Sequence, residues 1–448
     1  MNRRSNRSGN AGPGSPRRGA ILAGLLGFAL AGSPRDVLAD PGPDIPVDGV
    51  RPASMSGLLR RWPLALHAVR GTTAESMEQT LGEADDVLRE LRSRFALPGP
   101  VPDGTRGGGP ELDLYLVDGD AALTAAGGSD ARHDTFEHAA LWDRASSFVV
   151  LDRTLQGDAR RHALALGIAG ALLRGIDARI PRPLELSLAE TYSRRITGGD
   201  LELDALAAFQ HTSDAALLRD RDDLSARGAS LFTDYIAQRF DRDDLLGLSA
   251  LAWMPVAETP PERDHLVSEP HVFDVLERTL RDERGGMRGV IADFTVARAF
   301  LGTSADTLGY TGVGPDPDDR GLRPQPWIEA STASLPAWIT PRPPLDETGS
   351  AFIAIDTRAA RESALNLWLH GVPWREWVVT VVRVGSDGTL VGTLPRTPVV
   401  HGEWNTIVEN LDRTARLLVV VNDFGNGHLD PYEGPSRNGW FALHVARR

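Results

Sequence analysis

The chain has 448 residues, a formal net charge of −13, 41% hydrophobic residues and 24% charged residues. These values are typical of a globular protein with about two or three domains, and the negative charge argues against a nucleic-acid partner because phosphate binding needs a basic surface. The chain has no Cys and no Lys, which excludes disulfides, thiol nucleophiles, P-loops and lysine Schiff bases.

The first 39 residues have the pattern of an export signal. Five Arg residues between positions 3 and 18 precede a short apolar run from Ala20 to Ala31, and Val37 and Ala39 flank Leu38 as in a signal-peptidase site. The apolar run is shorter than the about 20 residues that a transmembrane helix requires. We expect an exported protein, periplasmic, cell-surface or extracellular, without stable membrane insertion after cleavage.

The predicted elements begin after a flexible lead-in, residues 40–53, that is rich in Pro, Gly and Asp. Apolar residues at helical spacing predict a helix over Thr73–Phe95, and two strands follow, Glu111–Val117 and Ser146–Asp152. Asp158–Gly175 is apolar almost all round, which predicts a buried helix with Asp158 as its N-cap. Further helices are predicted over Leu184–Ile196, Ser225–Phe240, Phe273–Leu280 and Gly289–Leu301.

The composition changes in a Pro-rich segment, residues 315–344, that we interpret as a linker. Seven short strands follow, with a hairpin signal at Ser386-Asp387-Gly388. They are predicted over Ala351–Asp356, Ala364–Leu369, Trp377–Val384, Thr389–Leu394, Thr406–Leu411, Arg416–Val421 and Gly439–Val445. The expected fold class is α+β, with one α+β domain over residues 54–314 and an antiparallel β-sandwich over residues 345–448.

The order of elements in the first domain resembles that of a known enzyme class. In gluzincin metallopeptidases a buried helix carries His-Glu-x-x-His, whose two His bind zinc while the Glu activates water, and the next helix supplies a third ligand. The segments ELDLYLV, SSFVVLD, the AET-type helix, GASLFTDYIAQRF and GSAFIAIDT resemble a family of exported zinc metalloproteases from myxobacteria and related bacteria. The resemblance covers most of the mature chain and implies a zincin-like domain.

Residue by residue, the resemblance fails at the catalytic positions. His162 stands at the first zinc ligand, but Ala163 replaces the catalytic Glu and Leu166 replaces the second His. In the next helix, Leu186 falls at the position of the ligand Glu. Without a carboxylate at position 163, nothing in the motif takes the proton from an attacking water.

Two functional hypotheses follow from this loss. The first is a metalloprotease-like pseudoenzyme that acts by binding a protein or peptide partner, without peptidase activity and without a required cofactor. The second is a divergent zinc-dependent peptidase in which Glu190, or Glu185, compensates by a small rotation and joins His162 as a ligand.

Two other segments have residue types that bind metals. His133 and His138 flank an acidic run that resembles His-x-x-Glu-His but is one residue too long, which favours a surface loop. Asp423, Asn426 and Asp430 lie in a glycine-rich loop between two predicted strands, a pattern typical of either a calcium site or a polar hairpin loop.

A cluster of aromatic residues lies in or near the predicted sandwich strands. Trp368, Trp374 and Trp377 would serve core packing or form a face on which sugars stack. A cell-envelope protein that binds carbohydrate or calcium through its sandwich is therefore a third hypothesis.

Overall fold

The computed structural model describes residues 50–119, 127–130, 144–178, 180–218, 222–240, 272–301, 323–360, 364–388, 390–427, 429 and 438–448. Within these ranges the chain is a mixed α/β protein with three β-sheets. The export signal, most of the lead-in, His133, His138 and Asp430 lie outside the described residues.

The helices in the described ranges are α1 (Ala74–Phe95), α2 (Gly157–Arg174), α3 (Arg182–Thr197), α4 (Leu203–Gln210), α5 (Asp223–Gly228), α6 (Ser230–Phe240), α7 (Val272–Thr279) and α8 (Gly286–Arg298). The strands are β1 (Gly57–Arg61), β2 (Leu64–Ala68), β3 (Leu112–Val117), β4 (Gly128–Ser129), β5 (Ser147–Asp152), β6 (Trp327–Ser331), β7 (Ala337–Ile339), β8 (Ser350–Asp356), β9 (Leu365–Gly371), β10 (Trp377–Val384), β11 (Leu390–Thr393), β12 (Glu403–Val408), β13 (Arg416–Asp423) and β14 (Phe441–Arg447). None of the helices in this part of the chain has the length and apolar character needed to cross a bilayer.

The N-terminal sheet has the strand order β1-β2-β3-β5-β4. Strands β2, β3 and β5 run parallel, while β1 and β4 are antiparallel edges. Because parallel neighbours require a crossover connection, α1 links β2 to β3. One face of the sheet, with Leu66, Leu114 and Val149, packs against the helices, while the other face presents His67 and Tyr115.

Helices α1, α2 and α3 form a layer over this sheet, and of the three only α1 begins with a side-chain cap. Thr73 caps α1 by accepting a hydrogen bond from the Ser76 amide at 3.2 Å. The prediction that Asp158 caps α2 is wrong: Gln156 holds the cap position, and Asp158 lies in the first turn, where its negative charge interacts favourably with the helix dipole.

The single helix predicted over residues 225–240 is instead two. Helices α5 and α6 are separated at Ala229, whose amide closes the last turn of α5. The apolar face identified from the sequence is retained, because Leu231, Phe232 and Tyr235 are all buried.

Two C-terminal sheets face each other across one hydrophobic core. The first has the order β11-β10-β13-β8-β6 and the second the order β12-β9-β14-β7. Ile353 and Val419 of the first sheet meet Leu367 and Leu443 of the second in this core. All seven strands predicted for this region are present within a few residues of their expected bounds.

Two further strands of these sheets lie within the segment that we interpreted as a Pro-rich linker. Strand β6 pairs in parallel with β8, and β7 pairs with β14. The two strands, Trp327–Ser331 and Ala337–Ile339, lie among prolines and are too short to show a clear period in the sequence.

Helix α8 connects the helical layer to the first C-terminal sheet. Its Val296, together with Phe300, packs on Phe352, Val382 and Val420, which point away from the second sheet. The central strands β8, β10 and β13 of the first sheet are therefore largely buried on both faces.

Gly228 lies where α5 crosses α4 at close range. A Cβ added there would lie 2.1 Å from the Ala205 carbonyl oxygen and 2.7 Å from the Phe209 Cβ. We expect Gly228→Ala to lower the free energy of unfolding by about 1–3 kcal/mol in urea denaturation, because the two helices must separate. Gly392→Ala is the control, since an added Cβ there meets nothing within 4 Å; equal stability of both variants would contradict the expectation.

Candidate functional site

His162 and Glu190 face each other on two successive helices. His162 lies in α2 and Glu190 lies in α3. The His162 Nε2 is 3.4 Å from the Glu190 Oε2. The Glu190 side chain is 1% exposed and the His162 side chain 27% exposed. The structure therefore brings together the two residues named for a divergent zinc site, at the solvent edge of the helical layer.

Ser193 holds the other side of the imidazole ring. Its Oγ lies 3.0 Å from the His162 Nδ1 and also donates to the His162 carbonyl oxygen at 3.0 Å. The order Ser193–His162–Glu190 has the residue types of a hydrolytic triad, but Ser193 is completely buried. It positions the ring and is not exposed to act as a nucleophile.

Two arginines neutralise the buried carboxylate of Glu190. The Arg227 Nε donates to Glu190 Oε2 at 2.9 Å, and the Arg194 Nε lies 3.9 Å from Oε1. Burial opposes ionisation of Glu190, but the hydrogen bond from His162 and the positive charges of Arg227 and His162 outweigh it and lower the pKa. Glu190 is thus an anion whose charge is already matched within the protein.

This arrangement does not fit a catalytic zinc ion. Such an ion needs three protein ligands and a water, whereas one imidazole and one carboxylate are present here and a guanidinium binds the same carboxylate oxygen. Across the described ranges, no group of three His, Asp or Glu side chains could hold a metal. Ala163 and Leu166, at the missing motif positions, pack against the hydrophobic core.

Glu185 lies too far away to replace Glu190. Its carboxylate accepts from Arg174 at 3.0 Å and from Arg182 at 3.1 Å. Since a helix rises about 1.5 Å per residue, Arg174 is about 18 Å along α2 from His162. Leu186, which the family register places at the ligand position, is buried.

The proposed calcium loop begins with an aspartate that already has an internal cation. Both oxygens of Asp423 accept from the Arg375 Nε, at 2.9 and 2.8 Å, and Oδ1 also accepts from the Gly425 amide. Burial raises the pKa of Asp423 to about 6, although Arg375 acts in the opposite direction. A calcium ion at Asp423 and Asn426 would have to displace a guanidinium.

The sequence patterns did not predict an acidic cluster on the face of the N-terminal sheet that lies opposite the helices. Asp103, Asp113 and Asp130 converge on the guanidinium of Arg51, which comes from the lead-in. The Arg51 Nη2 lies 2.7 Å from Asp103 Oδ2 and 2.5 Å from Asp130 Oδ2, while Nη1 binds Asp113. Arg51 therefore fastens the start of the described chain to the sheet.

Two ring side chains complete this acidic cluster. The His67 Nε2 lies 2.8 Å from Asp113 Oδ1, and the His67 ring stacks on Tyr115 with 4.7 Å between centroids. Burial raises the pKa of Tyr115 to about 12, and burial together with the neighbouring Asp113 raises that of Asp103 to about 7. The sequence signal was Asp113, a charged residue inside a strand that is buried at every position.

No protein-family model matches this chain. No curated protein matches it either. Among solved structures, similarity is found to the Aeromonas hydrophila PliG, a periplasmic lysozyme inhibitor of g-type lysozyme, with 7% identity, 27% of this chain and 97% of that chain covered, and a TM-score of 0.18. Similarity is also found to the VP2 subviral particle of infectious bursal disease virus, with 18% identity, 25% of this chain and 30% of that chain covered, and a TM-score of 0.16. Likenesses this weak carry no functional argument.

Asp103 and Asp130 bind the same guanidinium, yet their pKa values shift in opposite directions. Because the pKa of Asp103 is raised to about 7, its folded state retains a proton that the unfolded state loses near pH 4. Relative to Asp103→Asn, the wild-type chain should therefore lose stability as pH rises from about 4 to about 7. Urea denaturation at several pH values measures this difference.

Asp130→Asn provides the matched control with the opposite sign. Burial opposes ionisation of Asp130, but Arg51 lowers the pKa. The stability that Asp130 contributes should be present above about pH 4 and be lost as pH falls through the lowered pKa. The same pH trend in both variants would contradict this account of the acidic cluster.

The Glu190–Arg227 pair can be tested by a double-mutant cycle. Arg227→Met leaves Glu190 buried without its closest cation and should cost about 3–5 kcal/mol of unfolding free energy. Adding Glu190→Gln should recover most of that loss. Arg89→Met is the control, because Arg89 is 65% exposed and its ion pairs with Asp85 and Asp86 should contribute less than about 1 kcal/mol; additive effects of the two substitutions would refute the pairing.

Proposed function

We propose that this chain is an exported, non-catalytic binding protein, a metalloprotease-like pseudoenzyme with a zincin-like α/β domain followed by a β-sandwich. The parallel strands β3 and β5, the buried helix α2 and the facing helix α3 support the zincin-like part. The two C-terminal sheets that share one core support the sandwich part.

The observation that carries this proposal is the Arg227 guanidinium on the Glu190 carboxylate. Glu190 Oε2 accepts from Arg227 at 2.9 Å and lies 3.4 Å from the His162 Nε2. A metal ion at His162 and Glu190 would lie beside this positive charge and be repelled by it. Hydrolysis would also need a base beside the metal-bound water, and Ala163 at that position has none.

The partner of such a protein is a protein or peptide. His162 is half-buried at the surface of α2, and its ring, held by Ser193 and Glu190, presents its exposed edge to a bound chain. Glu190 behind it is ionised and gives the ring a fixed partner. The residues at the metal-ligand positions of a peptidase can therefore contact a bound chain without cleaving it.

The second candidate is a divergent zinc peptidase that uses His162 and Glu190. The observation in its favour is their 3.4 Å approach across α2 and α3. This candidate requires the Arg227 side chain to leave Glu190 and a third ligand to join the site. The proposed pseudoenzyme requires neither change.

Elemental analysis and a peptidase assay on the purified mature protein distinguish the two candidates. We expect substoichiometric zinc after growth in zinc-containing medium and no chelator-sensitive cleavage of casein. One tightly held zinc per chain, with cleavage abolished by a chelator and by His162→Ala, would overturn the proposed function.

A gain-of-function variant tests the zincin-like part separately. Combining Ala163→Glu, Leu166→His and Arg227→Gln restores the His-Glu-x-x-His spacing and removes the competing cation. We expect this variant to bind about one zinc ion per chain in equilibrium dialysis. The same variant with His162→Ala is the control, and equal zinc binding by both would contradict the zincin-like geometry.

A further inference from the structure

The second C-terminal sheet has an outer face that carries aromatic residues. Alternate residues of β9 and β14, including Leu367 and Leu443, point into the shared core, so the residues between them point outward. The pairing register places Trp338 opposite His444 and His444 opposite Trp368. These three residues form one line across three strands, which we call the tryptophan row.

The two tryptophans of the row are exposed, and neighbouring side chains contact their rings. Trp338 is 62% exposed and Trp368 is 41% exposed. Trp368 Nε1 donates to one oxygen of Glu403 at 2.8 Å, and the His370 Nδ1 lies 2.8 Å from the other. The His370 ring lies 4.4 Å from the Trp368 ring and 5.5 Å from the Trp338 ring. A ligand on this face therefore meets rings whose orientation is already restrained, which lowers the entropic cost of binding.

Two more exposed indoles adjoin one end of the row. Gly371 at the end of β9 pairs with Phe441 at the start of β14. Trp374 and Trp440, just beyond these residues, are 72% and 46% exposed. Since both tryptophans lie at the same end of the paired strands β9 and β14, a ligand longer than the row meets additional aromatic surface there.

The spacing of the row fits a repeating ligand. Trp338 and Trp368 lie two strands apart, so their Cα atoms are separated by about 10 Å. A disaccharide of an extended β-1,4-linked glycan has a comparable length, and the C–H face of a pyranose packs well on an indole. On the strand between the two tryptophans, the small outward residues Ala442 and Ala446 flank His444.

The charges on this face favour a neutral ligand. Both oxygens of Glu403 already accept hydrogen bonds from Trp368 and His370, and these lower the pKa of the carboxyl. Asn405, which pairs with Trp368, is exposed and gives an amide for sugar hydroxyls. Trp338 and Trp368 lie on one sheet face, on either side of His444, whereas the cages that bind quaternary ammonium groups surround the ligand with rings.

We propose that the tryptophan row binds an extended β-1,4-linked glycan, with pyranose rings stacked on Trp338 and Trp368. This site is separate from the His162–Glu190 pair, and the proposal goes beyond the pseudoenzyme function without depending on it. Glycan binding without metal content, or metal content without glycan binding, distinguishes the two.

The experiment is a titration of the full mature protein with chitohexaose and with cellohexaose, followed by calorimetry and tryptophan fluorescence. We expect one or both to bind, chitobiose or cellobiose to bind more weakly than the matching hexasaccharide, and maltohexaose, whose α-1,4 linkages curve the chain, not to bind. Trp338→Ala and Trp368→Ala should each weaken binding at least about tenfold.

Trp62→Ala is the matched control. Trp62 is 67% exposed in the turn between β1 and β2, on a different sheet, and its loss should leave the affinity unchanged. Circular dichroism and thermal unfolding check that each variant folds, and Trp368→Phe keeps a stacking ring if Trp368→Ala does not fold. No binding of either β-1,4 hexasaccharide, equal binding of maltohexaose, or an equal loss in Trp62→Ala would overturn the proposal.

Discussion

The pairing of buried carboxylates with arginine is the interaction on which this structure depends. A carboxylate removed from water costs several kcal/mol unless a cation and hydrogen bonds compensate it, and this chain has no lysine to do so. Arginine donates through a rigid planar fork, so each pair also fixes a geometry. The buried pairs are Asp113 and Asp130 with Arg51, Glu185 with Arg174, Glu190 with Arg227, Asp234 with Arg194, and Asp423 with Arg375. They join the lead-in to the sheet, helix to helix, and strand to loop.

Carboxylates in two regions of the structure are paired in different ways. At His162 and Glu190, the carboxylate is already paired with Arg227. On the second C-terminal sheet, Glu403 is also matched, but its partners are the aromatic side chains Trp368 and His370. The first region is a closed set of ion pairs, whereas the second presents aromatic rings to solvent.

Elements with a clear period could be predicted from the sequence, and contacts between distant segments could not. Helix α1 and the seven C-terminal strands follow from apolar spacing and caps, while β1 and β2 are too short to show a period. The acidic cluster joins Arg51 to Asp103, Asp113 and Asp130, and Arg51 lies in a segment that composition describes as flexible. His162 was identified through a family resemblance, but only the packing of α2 on α3 shows that Glu190 faces it. In β9, Trp368 stands between two core leucines, and this alternation already indicates an outward side chain.

Arg227 has a consequence for how the chain matures. An arginine is part of the polypeptide when it leaves the ribosome, whereas a metal ion must be acquired afterwards from the surroundings. Arg227 in α5 pairs with Glu190 in α3, and this ion pair is complete once the chain folds, so the contact between these two helices needs no metal ion.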